Sequence, residues 1–233
     1  MTSDPLFTGP ELCGLEAHEI VTLLKAKEIS SADLIDAAVA RIDQTGPVIN
    51  ATPTLCEARA RAVDLSNQDT TPAGCLAGLP ITIKDLNAVV NVRTTFGTKG
   101  LADFIPQHND PLVDQLERQG AVILGKTNTP EFGAGGNTFN DVFGQTRNPW
   151  NTALNPGGSS GGAAASLAAG EIWLSHGSDH GGSLRTPAAY CGIVGLRPSP
   201  GIAGGPGQDT AFIIEGVQGP MARSVRDCAL VID

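Results

Sequence analysis

The spacing of apolar residues predicts helices in the first third of the chain. Ser30 followed three residues later by Asp33 is typical of a helix start. Apolar residues then recur at helical spacing, at Leu34, Ile35, Ala38, Val39 and Ile42. Gly46 and Pro47 predict the end of this helix. A second, shorter helix is expected over residues 56–65.

From residue 79 onward, short apolar runs alternate with helical stretches. Residues 79–85 predict a strand, and residues 121–124 predict a buried strand. Between them, Asp110 and Pro111 predict a helix that runs through Gln119. Strand, helix and strand at these lengths predict an α/β layer with a largely parallel sheet.

The last third continues this alternation. Residues 163–169 predict a tightly packed helix, residues 172–174 a strand and residues 193–196 another apolar run. Ser224 and Asp227 have the spacing of a second helix start. Because Asp233 would then fall inside that helix, we expect the chain to be truncated.

Composition and charge narrow the classes of function. Hydrophobic residues make up 41% of the chain and charged residues 17%, which is typical of a globular protein. A net charge of −9 without any basic run argues against direct contact with nucleic acid. The five cysteines are scattered and form no CxxC pair, which favours free thiols in the cytoplasm over a disulfide framework or a zinc site. No signal peptide or apolar run long enough to span a membrane is apparent.

Two segments rich in glycine and serine carry the candidate chemistry: residues 157–162 (GGSSGG) and residues 177–185 (GSDHGGSLR). Glycine permits backbone conformations that point several N–H groups at one spot, which suits an oxyanion. A flexible linker is the alternative for the first segment. We disfavour it because strongly apolar segments follow directly.

Together with Lys84 in residues 80–85 (PITIKD), these two segments resemble the amidase-signature enzymes. Ser159 and Ser183 lie 24 residues apart, as in that family. The similarity runs from about residue 15 to the end of the chain. Shorter matches support it at residues 125–128 (GKTN), 131–132 (EF), 147–150 (RNPW), 191–196 (CGIVGL) and 219–224 (GPMARS).

The resemblance implies a Ser–cis-Ser–Lys triad. By position, Ser183 is the nucleophile, Ser159 relays its proton and Lys84 is the base, with a cis peptide bond before Ser159. The resemblance also implies that Ser160 hydrogen-bonds within the triad network. It implies an oxyanion hole made by backbone N–H groups, those of His180, Gly181, Gly182 and Ser183.

Lysine suits the role of base only when it is buried. A solvated lysine has a pKa near 10.4 and is protonated at neutral pH, whereas burial away from carboxylates lowers that pKa by up to several units. Lys84 follows an apolar strand, and Asp85 should point to the opposite face of it. The remaining charges of the second segment, Asp179 and Arg185, are expected to pair with each other or to cap backbone groups in a buried loop. His180 departs from the small or apolar residue usual in the family.

Three other motifs compete with this interpretation. Residues 157–161 satisfy the GxSxG pattern of α/β-hydrolases, but no histidine follows His180 to complete their triad. His176 and His180 have the spacing of two metal ligands on a helix, yet the glycines around them make a helix improbable. Residues 120–127 satisfy the bare Walker pattern, although a strand stands where the phosphate loop would be needed. We therefore expect no metal and no organic cofactor.

The sequence thus predicts an α/β fold with a mixed, mainly parallel sheet sandwiched by helices, incomplete in this chain. Residues 1–70 would form an N-terminal helical segment and residues 71–233 a catalytic core. The expected function is hydrolysis of a small-molecule amide through an acyl-enzyme on Ser183. We expect no direct contact with nucleic acid or a membrane. A homodimer is a possible assembly. Two alternatives stay open: a glutaminase-like subunit of a tRNA-dependent amidotransferase, and a truncated homologue without activity.

Overall fold

The computed structural model describes residues 9–66, 68–72, 74–203 and 215–232. Its helices are α1 Glu11–Gly14, α2 Ala17–Ala26, α3 Ser31–Ile49, α4 Glu57–Arg61, α5 Pro111–Arg118, α6 Gly161–Ala168, α7 Arg185–Cys191 and α8 Val225–Ile232. Its strands are β1 Thr54–Leu55, β2 Pro80–Lys84, β3 Val122–Thr127, β4 Phe139–Asn140, β5 Gly144–Gln145, β6 Leu174–Asp179, β7 Val194–Gly195 and β8 Val217–Ala222.

Six of these strands form one sheet in the order β1-β3-β2-β6-β8-β7. The three central strands β3, β2 and β6 are parallel to one another. β1, β8 and β7 are each antiparallel to the neighbour they join, so that β7 again runs in the direction of β6. Within the described residues most strands of the sheet therefore share one direction. The predicted α/β fold with a mixed, mainly parallel sheet is confirmed.

Helices cover both faces of the sheet centre. Every residue of β2 and β3 is buried, as expected for parallel strands enclosed by helices. Alternate residues of β2 point to opposite faces. Lys84 reaches Ser160, the residue before α6, whereas Ile81 lines a cavity with Leu112 of α5 and Val231 of α8. The end of β2 thus carries a polar side chain to the start of α6.

Three predicted helix starts are confirmed in atomic detail, and at the third the Asp227 N–H donates to the Ser224 Oγ atom at 3.2 Å, before α8. The Oγ atom of Ser30 accepts a hydrogen bond from the Asp33 N–H at 3.2 Å, and the Asp33 carboxylate accepts one from the Ser30 N–H at 2.8 Å. The carboxylate of Asp110 accepts a hydrogen bond from the Leu112 N–H, with Pro111 in the first turn of α5. Each cap satisfies an N–H group that the helix itself leaves without a partner.

Three predicted boundaries were wrong. Helix α3 continues through Pro47 to Ile49. Pro47 lies in the last turn, and the Asn50 N–H still closes that turn by donating to the Gly46 carbonyl. Helix α4 ends at Arg61 rather than at residue 65. The strand expected over residues 172–174 instead begins at Leu174 and runs to Asp179, so that part of the second glycine–serine segment lies in a strand.

Within the described residues, no helix is both long and apolar enough to cross a membrane. The division of the chain near residue 70 stays a prediction. Asp233, on which the expected truncation rests, lies outside the described residues.

Candidate active site

Lys84 lies at the end of β2 with its side-chain nitrogen surrounded by serine hydroxyls. The Nζ atom is 2.7 Å from the Oγ atom of Ser159, 2.9 Å from that of Ser160 and 3.0 Å from that of Ser178. The side chain is fully buried. Burial lowers the pKa of Lys84 to about 7, against an opposing effect of the Asp179 carboxylate. A large fraction of Lys84 is therefore neutral at physiological pH.

Asp85 serves the opposite face of the sheet, as its position in the strand predicted. Its carboxylate accepts a hydrogen bond from Lys126 at 3.1 Å and another from the Thr95 hydroxyl at 2.6 Å. Both charged side chains are almost completely buried. Lys126 is a residue of β3, so the Walker-like pattern is a buried strand whose lysine pairs with Asp85, rather than a phosphate loop.

Residues 156–160 form a tight turn into α6. The peptide bond between Gly158 and Ser159 is cis, as the resemblance implied. A Cβ atom at Gly158 would lie 2.9 Å from the carbonyl oxygen of Gly135, and one at Gly162 would lie 2.4 Å from the Asn128 nitrogen. The glycines are thus required by close backbone packing, and the segment is not a flexible linker.

Ser183 follows β6 in the turn that leads into α7. Its carbonyl oxygen accepts a hydrogen bond from the Ser160 N–H at 3.2 Å, which places the two glycine–serine segments side by side. Ser183 is half-buried. Among the described residues its hydroxyl makes no hydrogen bond to Ser159.

The carboxylate of Asp179 organises this turn. It accepts hydrogen bonds from the Gly182 N–H at 2.8 Å and from the Leu184 N–H at 3.0 Å. It also pairs with Arg185 and with Arg197, each at 3.1 Å. Burial raises the pKa of Asp179, but the hydrogen bonds from Arg185, Leu184 and Gly182 outweigh it and hold the pKa well below its usual value. The predicted pairing of Asp179 with Arg185 is confirmed.

The backbone N–H groups of the turn divide into two sets. That of Gly182 already donates to the Asp179 carboxylate at 2.8 Å. Those of His180, Gly181 and Ser183 have no hydrogen-bond partner among the described residues. Among the described residues of the turn, these three N–H groups are thus left free to donate to a negatively charged oxygen.

The two histidines near the site occupy different environments. His176 lies within β6 and is buried, whereas His180 is exposed beyond the end of the strand. Burial lowers the pKa of His176 to about 3, with a further lowering contribution from the charge of Lys84. His176 is thus neutral at physiological pH, and the helix that a metal pair at this spacing would need is absent from this part of the structure.

Sequence reasoning missed three contributors to the site. Ser178 supplies the third hydroxyl around Lys84, and Arg197 supplies a second guanidinium to Asp179. The segment around Gly133 borders Ser159, since a Cβ atom at Gly133 would lie 3.5 Å from the Oγ atom of Ser159. Ser178 belongs to the second glycine–serine segment, but only the β6 backbone shows that its hydroxyl reaches Lys84.

Comparison with known proteins gives a consistent family. A sequence model described as "Amidase" matches residues 33–233. A glutamyl-tRNA(Gln) amidotransferase subunit of Carboxydothermus hydrogenoformans is 45% identical over 228 residues, covering 96% of this chain and 47% of the relative.

Solved structures of two amidohydrolytic enzymes superpose closely on this chain. A bacterial aryl acylamidase of the amidase signature family matches with a TM-score of 0.86 and 36% identity, over 94% of this chain and 46% of the other. A 6-aminohexanoate cyclic dimer hydrolase matches with a TM-score of 0.84 and 35% identity, over 93% and 45% respectively. The chain spans about half the length of the curated relatives it matches.

Proposed function

The chain belongs to the amidase family, and on that premise we propose that it hydrolyses a carboxylic amide through an acyl-enzyme on Ser183. The observation that carries the proposal is the position of Lys84. A lysine whose pKa is lowered to about 7 lies 2.7 Å from the hydroxyl of Ser159. A base that titrates near the working pH is well matched to proton transfer.

The proposed reaction begins with two proton transfers. Neutral Lys84 accepts the proton of Ser159, Ser159 accepts the proton of Ser183, and the Ser183 oxygen attacks the amide carbon. The carbonyl oxygen gains negative charge, which the N–H groups of His180, Gly181 and Ser183 stabilise. When the tetrahedral intermediate collapses, the proton held by Lys84 returns through Ser159 to the leaving nitrogen, and ammonia or an amine departs.

Water completes the cycle by the same route. It loses a proton through Ser159 to Lys84 and attacks the Ser183 ester. As the carboxylic acid leaves, that proton returns from Lys84 through Ser159 to the Ser183 oxygen, which restores the serine. No step requires a metal or an organic cofactor. Asp179 and Arg185 act in this scheme by holding the turn that carries Ser183, and Ser160 by binding Lys84.

A glutaminase-like role is the second candidate. It is favoured by the 45% identity to a glutamyl-tRNA(Gln) amidotransferase subunit. In that role the same triad would release ammonia from glutamine for use by a partner subunit. A homologue without turnover stays the third candidate. The expected cytoplasmic location and homodimer stay predictions.

Ammonia release from L-glutamine and amine release from a neutral aryl amide separate these candidates. A stand-alone amidase should hydrolyse the aryl amide more efficiently, and a glutaminase-like subunit should prefer glutamine. Each activity should be absent from the Ser183→Ala protein. Turnover that Ser183→Ala leaves intact would contradict the acyl-enzyme, and the absence of turnover on any amide would favour the third candidate.

A further inference from the structure

We propose that Ser178 is a positioning residue that aims the lone pair of Lys84 at Ser159. This inference rests on the proposed function, in which neutral Lys84 removes the Ser159 proton. The reason lies in the hydrogen-bonding capacity of the three hydroxyls around Nζ, which lie at 2.7, 2.9 and 3.0 Å.

Ser160 can only accept a hydrogen bond from Lys84. Its own O–H donates to the carbonyl oxygen of Ser178 at 3.2 Å, and its oxygen also accepts from the Ser178 N–H at 3.3 Å. A hydroxyl has a single proton to donate. With that proton directed at Ser178, the Ser160 oxygen is a fixed acceptor for one N–H of Lys84.

A neutral amine has two N–H donors and one lone pair. If Ser160 takes the first N–H and the Ser178 oxygen takes the second, the lone pair is left facing Ser159. This is the arrangement in which Lys84 can accept the Ser159 proton. Ser178 makes no other side-chain hydrogen bond among the described residues, so its hydroxyl is free to adopt the accepting orientation.

Without the Ser178 oxygen, the preferred orientation of the Lys84 amine reverses. Lys84 would then satisfy both N–H groups by donating to Ser160 and Ser159, and its lone pair would face the vacated position. The productive orientation would leave one buried N–H without a partner, which is costly. We therefore expect Ser178→Ala to lower the rate at which Ser183 reacts by about 10- to 100-fold.

The same variant should change the pH dependence in a defined direction. The ammonium form of Lys84 donates to all three hydroxyls, so removing one acceptor destabilises the charged form more than the neutral form. The pKa of Lys84 should therefore fall. The charged group that acts on Lys84 is the Asp179 carboxylate, and the nearby His176 responds to the charge of Lys84; both belong to β6 and are unchanged in the variant. Helix α6, which packs on this face, carries no titratable side chain.

The test is the rate of adduct formation with a fluorophosphonate between pH 5 and 9, followed by intact mass. In the wild type the rate should rise with pH through a midpoint near the Lys84 pKa of about 7. Ser178→Ala should react more slowly at the plateau and with its midpoint at lower pH. Ser178→Thr keeps the hydroxyl and suits a strand, so it should restore both values.

Ser175→Ala is the matched control. It removes another buried hydroxyl of β6, one that bonds Thr82 at 2.8 Å and does not touch Lys84. Its midpoint should equal that of the wild type. A Ser178→Ala protein with wild-type rate and midpoint, in a chain whose Ser183→Ala variant is not modified, overturns the inference and leaves the proposed function intact.

If the wild type forms no adduct, so that the proposed function fails, a second measurement still tests the role of Ser178. Protein labelled with ¹³C at lysine Cε gives a signal for Lys84, identified by its loss in Lys84→Met, whose titration reports the pKa directly. A lower pKa in Ser178→Ala, with Ser178→Thr at the wild-type value, supports the hydrogen-bond assignment. An unchanged or higher pKa in Ser178→Ala contradicts it.

Discussion

Lys84 and Asp85 are adjacent in sequence, yet their charged groups lie on opposite faces of the sheet and have separate partners. Lys84 binds three serine hydroxyls, whereas Asp85 binds Lys126 and Thr95. The carboxylate nearest to Lys84 in the chain is thereby kept from pairing with it. This separation allows burial to lower the pKa of Lys84 to about 7, because a direct ion pair would have raised it.

Replacement of Lys84 should remove the base without changing the shape of the site. Lys84→Met is expected to lower amide hydrolysis by about 10²- to 10⁴-fold, the usual contribution of a general base. Lys84→Arg should be as inactive, because guanidinium stays protonated at every accessible pH. Circular dichroism would show whether both variants are folded. Substantial activity in the arginine variant would exclude Lys84 as the base.

The ion pair between Asp85 and Lys126 should be sensitive to the loss of either partner. Because both groups are buried, Asp85→Asn or Lys126→Met should each lower the free energy of unfolding by about 3–5 kcal/mol. The double variant should lose less than the sum of the two, since neither charge is then left alone. Urea denaturation measures all three, and strict additivity would show that the pair does not contribute as a unit.

Asp179 should contribute to stability in a pH-dependent manner. Its pKa in the folded protein lies below the ordinary value of 3.8. The contribution is therefore complete above about pH 3.8 and is lost as the pH falls below it. Asp179→Asn should lower the free energy of unfolding by about 1–3 kcal/mol at pH 7. The exposed Asp43→Asn variant serves as control and should change it by less than about 0.5 kcal/mol.

Urea denaturation between pH 7 and pH 3 tests this account of Asp179. The difference between wild type and Asp179→Asn should shrink as the pH falls below about 3.8, because Asp179 becomes protonated in the unfolded chain while it is still ionised in the folded protein. A difference that stays constant down to pH 3 would mean that the amide is disfavoured for its shape rather than for its missing charge.

Two glycine-to-alanine changes should have opposite effects on stability. A Cβ atom at Gly162 would lie 2.4 Å from the Asn128 nitrogen and 2.7 Å from the Ala51 carbonyl oxygen, so Gly162→Ala should be destabilising by more than about 2 kcal/mol. Gly46 lies inside α3, where the nearest atom is 3.8 Å away, and Gly46→Ala should be stabilising by about 0.5–1 kcal/mol. Thermal denaturation ranks the two proteins, and equal melting temperatures would contradict the packing argument.

Local signals in the sequence predicted local structure well. The caps at Ser30 and Asp110 were visible because each involves a side chain and a backbone N–H within three residues. Strand β6 was harder to locate, since it contains Ser175, His176 and Ser178. Polar residues of this kind are buried here by pairing with β2 and β8 on either side, which no periodicity within the strand itself reveals.

Local sequence signals also predicted only part of the candidate active site. Its motifs pointed to Lys84, Ser159 and Ser183, and the structure brings the segments that carry them together. The third hydroxyl around Lys84 and the engagement of the Gly182 N–H depend on how β6 and the following turn are oriented. The contact of Ser178 with Lys84 joins residues far apart in the chain, and the bond of Gly182 to Asp179 depends on the direction of a single N–H group. The sequence alone specifies neither of these.

The central claim is that Ser183 is activated within these 233 residues, and covalent modification tests it most directly. The purified chain and its Ser183→Ala variant would be treated with a fluorophosphonate and their intact masses measured. One adduct is expected on the wild type and none on the variant. An equal adduct on both proteins, or none on a folded wild type, would contradict it.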